Sequence, residues 1–341
     1  MKQSKFILLT VAVLLVITFA VPSLLVLPFS SEKATGKLDE QLTKETSGQD
    51  NAWLAKGPSI TVFRSNEKAV EKLPIERYVI GVVASEMPAD FEEEALKAQA
   101  LTARTYIINQ LMLKSHVGVP DGAVVTDTVQ HQVYKSLADL KGIWGKDYNW
   151  KLKKVTDAVK ATAGQIITYK NEPITAAFFS TSNGYTENSQ DYWENSVPYL
   201  QSVASPWDKE SPKFIAKKTM STQEFENKLG IHLGSDGSVG TVTARTSGKR
   251  VGTVQIGGKT FTGREVREKL ELNSSDFSWV KKGKNIIITT KGNGHGVGMS
   301  QYGANGMAQE GKTYKQIVAY YYKGTEIASD DSYLNKVTAK K

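Results

Sequence analysis

The chain has 341 residues, 43 lysines and arginines against 35 aspartates and glutamates, a formal charge of +8 and no cysteine. This length holds one elaborate domain or two smaller ones, and the lack of cysteine excludes disulfides and thiolate metal sites. The positive charge suits an anionic polymer or surface; with no RNP, zinc-knuckle or helix-turn-helix pattern, no nucleic-acid partner is expected.

Residues 6–29 are an apolar run without charge, preceded by Lys2 and Lys5. A bilayer is spanned by about 20 such residues, whereas a cleavable signal core has ~7–15 and an Ala-x-Ala-like site, which this segment lacks. The expectation is a single-pass transmembrane helix in the cell membrane within residues 1–29, lysines cytoplasmic and the bulk of the chain extracytoplasmic. Residues 30–57 turn polar and aperiodic and read as a stalk, at whose end Trp53 and Leu54 reach the fold. Residues 59–64 alternate like a strand.

Residues 74–111 read as two helices broken near one acidic residue. Pro74 suits the first turn of the first, and Tyr78, Val79, Val82 and Val83 recur at helical spacing. Pro88 disfavours the α region at Met87, so this helix should end at Ser85 or Glu86. Asp90 and Glu93 suggest a capping box for a second helix through Leu96, Ala100, Ala103 and Ile107. Glu86 then sits at the negative end of a helix between Val83 and Met87. Helix dipole and desolvation both favour its neutral acid, the state that glycosidic cleavage requires of its acid. The alternative is a solvated or arginine-paired glutamate at a helix end.

Beyond the loop 116–128, the segment His131–Tyr134 opens a polar and aromatic stretch that reaches Trp144 and Trp150. A helix is expected over residues 155–162 with Gly164 as its C-cap, then a hairpin of residues 165–169 and 174–179, then the turn Ser180–Glu187, rich in small hydroxyls. Residues 208–290 form a smaller β-rich unit: a capped helix at 221–229, strands at 238–245 and 250–256, and a helix at 263–270. A strand at 285–290 runs into the glycine-rich stretch Gly292–Gln301 around His295, which has neither phosphate-loop nor dinucleotide spacing. Helices at 302–308 and 314–322 end the domain at residue 327, and 328–341 reads as a tail.

Three stretches taken together, VVASEMP with AQALTARTY (82–88, 98–106), FFSTSNGYT (178–186) and GHGVGMSQYGA (294–304), resemble the stage II sporulation protein D family, which also includes amidase enhancers. The resemblance covers residues 59–327 and implies a catalytic domain over 58–327. Its implied activity is that of a lytic transglycosylase that cleaves peptidoglycan between N-acetylmuramic acid and N-acetylglucosamine, leaving 1,6-anhydro ends, during forespore engulfment. It makes Glu86 of the SEMP motif the catalytic residue, needs no cofactor, and implies peptidoglycan and the stage II sporulation proteins P and M as partners. The family's serine-rich turn usually carries two glycines, where this chain has Asn183 before Gly184. A non-catalytic, wall-binding enhancer of an amidase is the other reading.

Under this resemblance Arg104 and Tyr106 reach back from the second helix toward the cleft, Arg104 being otherwise an ion pair at the edge of the core. Gln132 and Tyr134 offer a cleft floor. Ser180, Ser182, Gly184 and Thr186 offer hydroxyls and backbone to sugars. His295, Ser300 and Gln301 form the opposite wall, with His295 in the same cleft as Glu86. Tyr199, with Tyr192 and Trp193, either stacks on sugars or packs in the core. No metal is expected; a site of His131 and His295 is the conceivable exception. The fold class expected is α+β, antiparallel sheet packed with helices beside the smaller β-rich subdomain.

Overall fold

The structure is a computed structural model that describes residues 49–55, 57–113, 118–193, 195–234 and 237–338. The expected anchor and most of the stalk lie outside those residues, as does the start of the 116–128 loop. Among the described residues no helix is long and apolar enough to cross a membrane.

Strand β1 (Ser59–Arg64) pairs antiparallel with β2 (Ala69–Pro74), from Ser59 opposite Pro74 to Arg64 opposite Ala69. Its alternation turns Ile60 and Val62 fully inward. Pro74 was expected inside the following helix, but with ψ 148° it ends β2 and stands just before α1 (Ile75–Glu86). Tyr78, Val79, Val82 and Val83 are completely buried on α1, as their spacing predicts. Met87, held extended by Pro88, closes the helix with its N–H on the carbonyl of Val83.

The next helix, α2 (Glu93–Met112), runs through the main core, with Leu96, Ala100, Ala103 and Ile107 among its buried residues. The expected Asp90–Glu93 box does not form. Glu92 is the N-cap without a side-chain bond, its own N–H goes to Asn305, and Glu93 and Glu94 hold Lys97. A short β3 (Val125–Thr126) lies parallel to β1. Then come α3 (Leu137–Trp144), opened by a Ser136–Asp139 capping box, and α4 (Tyr148–Ala161).

Strand β4 (Gln165–Tyr169) turns at Lys170 and Asn171, both at positive φ as a tight hairpin demands, into β5 (Glu172–Pro173). The second arm stops there rather than running to 179. Only β6 (Phe178–Phe179) is strand again, and a four-residue helix, α5 (Gln190–Trp193), follows.

A second hydrophobic core, with Phe225, Val254, Val266, Leu270, Ile286 and Ile288 at its centre, lies within residues 215–291. Its elements are β7 (Ile215–Ser221), α6 (Thr222–Leu229), β8 (Thr241–Arg245), β9 (Val251–Ile256), β10 (Lys259–Thr262), α7 (Gly263–Lys269), β11 (Phe277–Lys282) and β12 (Asn285–Lys291). They form two antiparallel sheets, ordered β10-β9-β8 and β11-β12-β7.

The chain returns to the main core as β13 (Met299–Ser300), paired in parallel with β6, then α8 (Gln301–Gln309) and α9 (Tyr314–Tyr321). Residues 328–338 are no loose tail. Strand β14 (Glu326–Ser329) pairs antiparallel with β4, and in α10 (Asp331–Thr338) Tyr333 is buried with its hydroxyl on the carbonyl of Asn171. The class is α+β with mainly antiparallel sheets, as expected.

Candidate active site

Glu86 is the last residue of α1, where carbonyls lack intrahelical partners and the helix dipole is negative. Its carboxyl is only partly exposed, and Oε1 accepts one bond, 2.7 Å from the N–H of Val133. Burial raises its pKa above the ordinary glutamate value, and the Val133 bond offsets this only in part.

The segment carrying Val133 crosses α1 closely because residue 81 is glycine; a Cβ there would stand 2.4 Å from the Tyr134 ring and 2.7 Å from the Lys135 carbonyl. The Tyr134 ring stacks on Tyr78 at 5.6 Å, under the Arg64 guanidinium, and its hydroxyl donates to Glu71. The Tyr78 hydroxyl donates to Gln132. Burial raises the Tyr78 pKa, and the nearby acidic groups of Tyr106, Glu86 and Tyr134 raise it further. Tyr106 is pushed up to about 12 by burial and so stays a neutral phenol.

On the other side, the Gln301 amide, at the start of α8, donates to the Glu86 carbonyl at 2.9 Å and more weakly to Gln99. The structure thus brings Val133 and Gln301 to Glu86 at the end of α1, while Gln132, Tyr134 and Tyr106 gather around Tyr78, with Gln132 and Tyr134 buried there instead of open as a cleft floor. It adds Tyr78, Gln99 and the Val133 N–H, which sequence reading missed. Tyr78 had read as core, Gln99 lies in a helix buried on nearly all sides, and a backbone donor leaves no residue-type signal.

The hydroxyl turn behaves differently. Asp208, fully buried, accepts from the N–H and hydroxyl of Ser182 at 2.8 Å each, and from the hydroxyls of Ser205 and Ser300 at 2.5 Å. Burial raises its pKa against these four bonds. The Ser182 and Ser300 hydroxyls are therefore committed inward, which corrects their expected place on a sugar-binding wall. Thr186 is likewise fully buried, bonded to Gln201 and Val203. Gly184, at φ 108°, donates to Ser182. Ser180 keeps partial exposure, its hydroxyl 3.4 Å from that of Thr181. Asn183 bonds the Gly248 carbonyl and Asp276 and so ties this turn to the second core.

The glycine loop carries His295 into an aromatic cup of Phe179, Tyr192 and Trp193, with ring centroids 5.4–5.7 Å away. Packing, followed by the charge of Arg267, pushes its pKa down to about 4, so the imidazole is neutral and Nδ1 accepts from Val297. None of these neighbours is a partner of Glu86; the loop reaches the glutamate through its far end, Gln301. The next residue, Gly296 at φ 91°, makes room for Arg250, whose guanidinium carbon would lie 2.5 Å from a Cβ. Arg250 in turn forms a buried ion pair with Glu187 at 3.1 Å.

Arg104 does not line a cleft. It is fully buried, paired through two nitrogens with Glu76 at 2.7 and 2.8 Å and bonded to the carbonyls of Val159 and Gln165. Tyr199 packs at 5.3 Å from Tyr169, its hydroxyl accepting from Thr175, which is the packing alternative. Tyr192 and Trp193 pack with His295. The His131 ring bonds Thr126. Among the described residues no group of three or more His, Cys, Asp or Glu side chains could hold a metal ion. Two surface cavities, of about 580 and 460 Å³, are lined by residues such as Gly164, Lys315 and Glu326, and Trp53, Ile75 and Leu334; neither includes Glu86.

A family model described as "Stage II sporulation protein" matches residues 64–169, which contain Glu86, Val133 and Tyr134. The chain is 54% identical over 338 residues to stage II sporulation protein D of Bacillus subtilis (strain 168), covering 98% of both chains. It is 50% identical to stage II sporulation protein D of Bacillus amyloliquefaciens over the full length of both. The amidase enhancer of Bacillus subtilis is 31% identical over 73% of this chain and 40% of its own.

Proposed function

The chain belongs to the stage II sporulation protein D family, and on that premise we propose that it is a membrane-anchored lytic transglycosylase. It cleaves peptidoglycan between N-acetylmuramic acid and N-acetylglucosamine during forespore engulfment, held in the cell membrane by residues 6–29, with its catalytic domain on the extracytoplasmic, septal side. The observation that carries this reading is the state of Glu86: partly exposed, raised in pKa, and bonded through its carboxyl to a single backbone N–H.

The reaction needs this carboxyl to enter protonated, and the upward shift that burial gives Glu86 favours that form. The acid donates to the glycosidic oxygen as the oxocarbenium-like state forms, and the new carboxylate accepts the Val133 N–H. That carboxylate then takes the proton from the muramyl 6-hydroxyl as this oxygen attacks the anomeric carbon. The C1–O4 bond breaks, the C1–O6 bond forms, and Glu86 ends as it began, with no water consumed. One glutamate serves as acid and base. Gln301 holds the backbone of Glu86, and Tyr106, Tyr134 and Gln132 gather around Tyr78 on the same helix, where the phenols stay neutral. Peptidoglycan and the stage II sporulation proteins P and M are the partners of this reading.

Likeness to the amidase enhancer supports a second reading, a wall-binding protein that stimulates a partner amidase without cleaving glycan. Mass spectrometry of sacculi and of peptide-free glycan strands, each incubated with the purified chain, separates the readings. The transglycosylase yields 1,6-anhydro-muramyl ends; reducing ends would indicate a hydrolase, and intact strands the enhancer.

A further inference from the structure

The corner between α3 and α4 combines exposed apolar and aromatic side chains with a run of lysines. Ile143 is 63% exposed and Trp150 44% exposed, with Trp144 and Tyr148 half-buried beside them. Residues 141–154 carry five lysines and a single acid, Asp147. That acid accepts the Trp150 indole N–H at 3.1 Å. The Lys141 ammonium lies 6.0 Å from the Tyr148 ring and that of Lys151 5.3 Å from the Trp150 ring. The inner side of the corner is fixed by Leu140, Val155 and Val159, all buried in the main core. The exposed groups are therefore presented on a rigid support.

We propose that this corner is a docking site for an anionic lipid surface, apart from any apolar anchor and independent of Glu86. The chemistry selects that occupant. Indole and phenol rings with apolar bodies and polar tips, flanked by long lysines, match the boundary between headgroups and acyl chains. Lys141 and Lys146 complement a negatively charged leaflet, whereas Lys151 and Lys153 stand 3.8 Å from Asp90 and 2.6 Å from Asp157, and the Lys154 ammonium donates to the Asp90 carbonyl. A soluble anionic polymer would use the lysines but gains nothing from Ile143, and a protein partner would not favour lysines at the centre of its contact. Val129 stands as a single exposed side chain, which is ordinary for a protein surface, and Val280 faces the half-exposed Ile287 across the β11-β12 pair with no exposed aromatic ring beside it.

The lack of cysteine makes the test direct. Ile143→Cys in the full chain, labelled with a nitrobenzoxadiazole dye, is reconstituted into vesicles of phosphatidylcholine with or without about a third phosphatidylglycerol; Val280→Cys is the control. The proposal expects a blue shift and quenching by brominated acyl chains at position 143 in the anionic vesicles only, weakened by salt. Added Lys141→Glu or Lys146→Glu should each lower lipid contact roughly fivefold or more. Equal spectra in both vesicles, equal quenching at position 280, or a shift produced by sacculi instead of lipid would each overturn it.

Discussion

Among the described residues burial raises the pKa of three carboxyls, Glu86, Asp208 and Glu187, and the first two are built for opposite ends. Asp208 is sealed, with four donors around its two oxygens and no exposure. Glu86 has a single donor and keeps an open side. Burial raises both by the same physics, so the shift alone marks neither as catalytic. The difference lies in the oxygen lone pairs: a carboxyl whose lone pairs are all taken fastens loops together, while one with capacity left can pass a proton to a substrate and take one back.

The comparison breaks most sharply at Glu86 itself. Glu86→Gln keeps the size and the Val133 bond but cannot transfer a proton, so release of anhydro-muramyl product should fall ~10²–10⁴-fold. Binding to sacculi and the thermal unfolding transition should persist, because the amide removes a charge that burial and the helix end disfavour. Product release at the wild-type rate by the folded variant would end the distinction. Next comes Arg104, placed here as internal support. Arg104→Ala leaves Glu76 buried and unpaired and should cost about 3–5 kcal/mol in denaturant unfolding. Unchanged stability with lost sugar binding would return it to the cleft. Smaller still, Asp208→Asn turns one acceptor into a donor facing hydroxyls that can partly reorient. About 1–3 kcal/mol of stability should be lost, with the rate per folded molecule falling far less than in Glu86→Gln.

What could be read in advance follows from the range of the interactions. Helix α1 and its end at Glu86 were legible because spacing, Pro88 and the apolar neighbours are local signals. So was the Ser221 cap, set by a few adjacent residues, whereas the hairpin after β4 was placed correctly but turns at Lys170–Asn171 instead of over residues 170–173. Strands β7 and β11 were missed because each shows only weak alternation and acquires its meaning by pairing with β12. The hydroxyl turn misled for a related reason. Ser182 and Ser300 resemble ligands for a sugar until Asp208 is brought between them, and nothing near residue 208 announces two partners so distant in the chain. Arg104 shows the same limit: both of its roles fit a helical arginine, and only the position of Glu76 decides between them.

The most direct test of the central claim is the pH profile of kcat/KM for anhydro-muramyl release from soluble glycan strands. A lone Glu86 that must enter protonated requires a rate that is flat on the acid side and falls once as pH rises through its raised pKa. The same linkage predicts folding stability contributed by this group below the ordinary glutamate pKa and lost through that descending limb. A single descending limb, midpoint above the ordinary glutamate value and absent from residual activity in Glu86→Gln, is the predicted result. A bell with an ascending acidic limb, which needs a second ionised carboxyl, would contradict it.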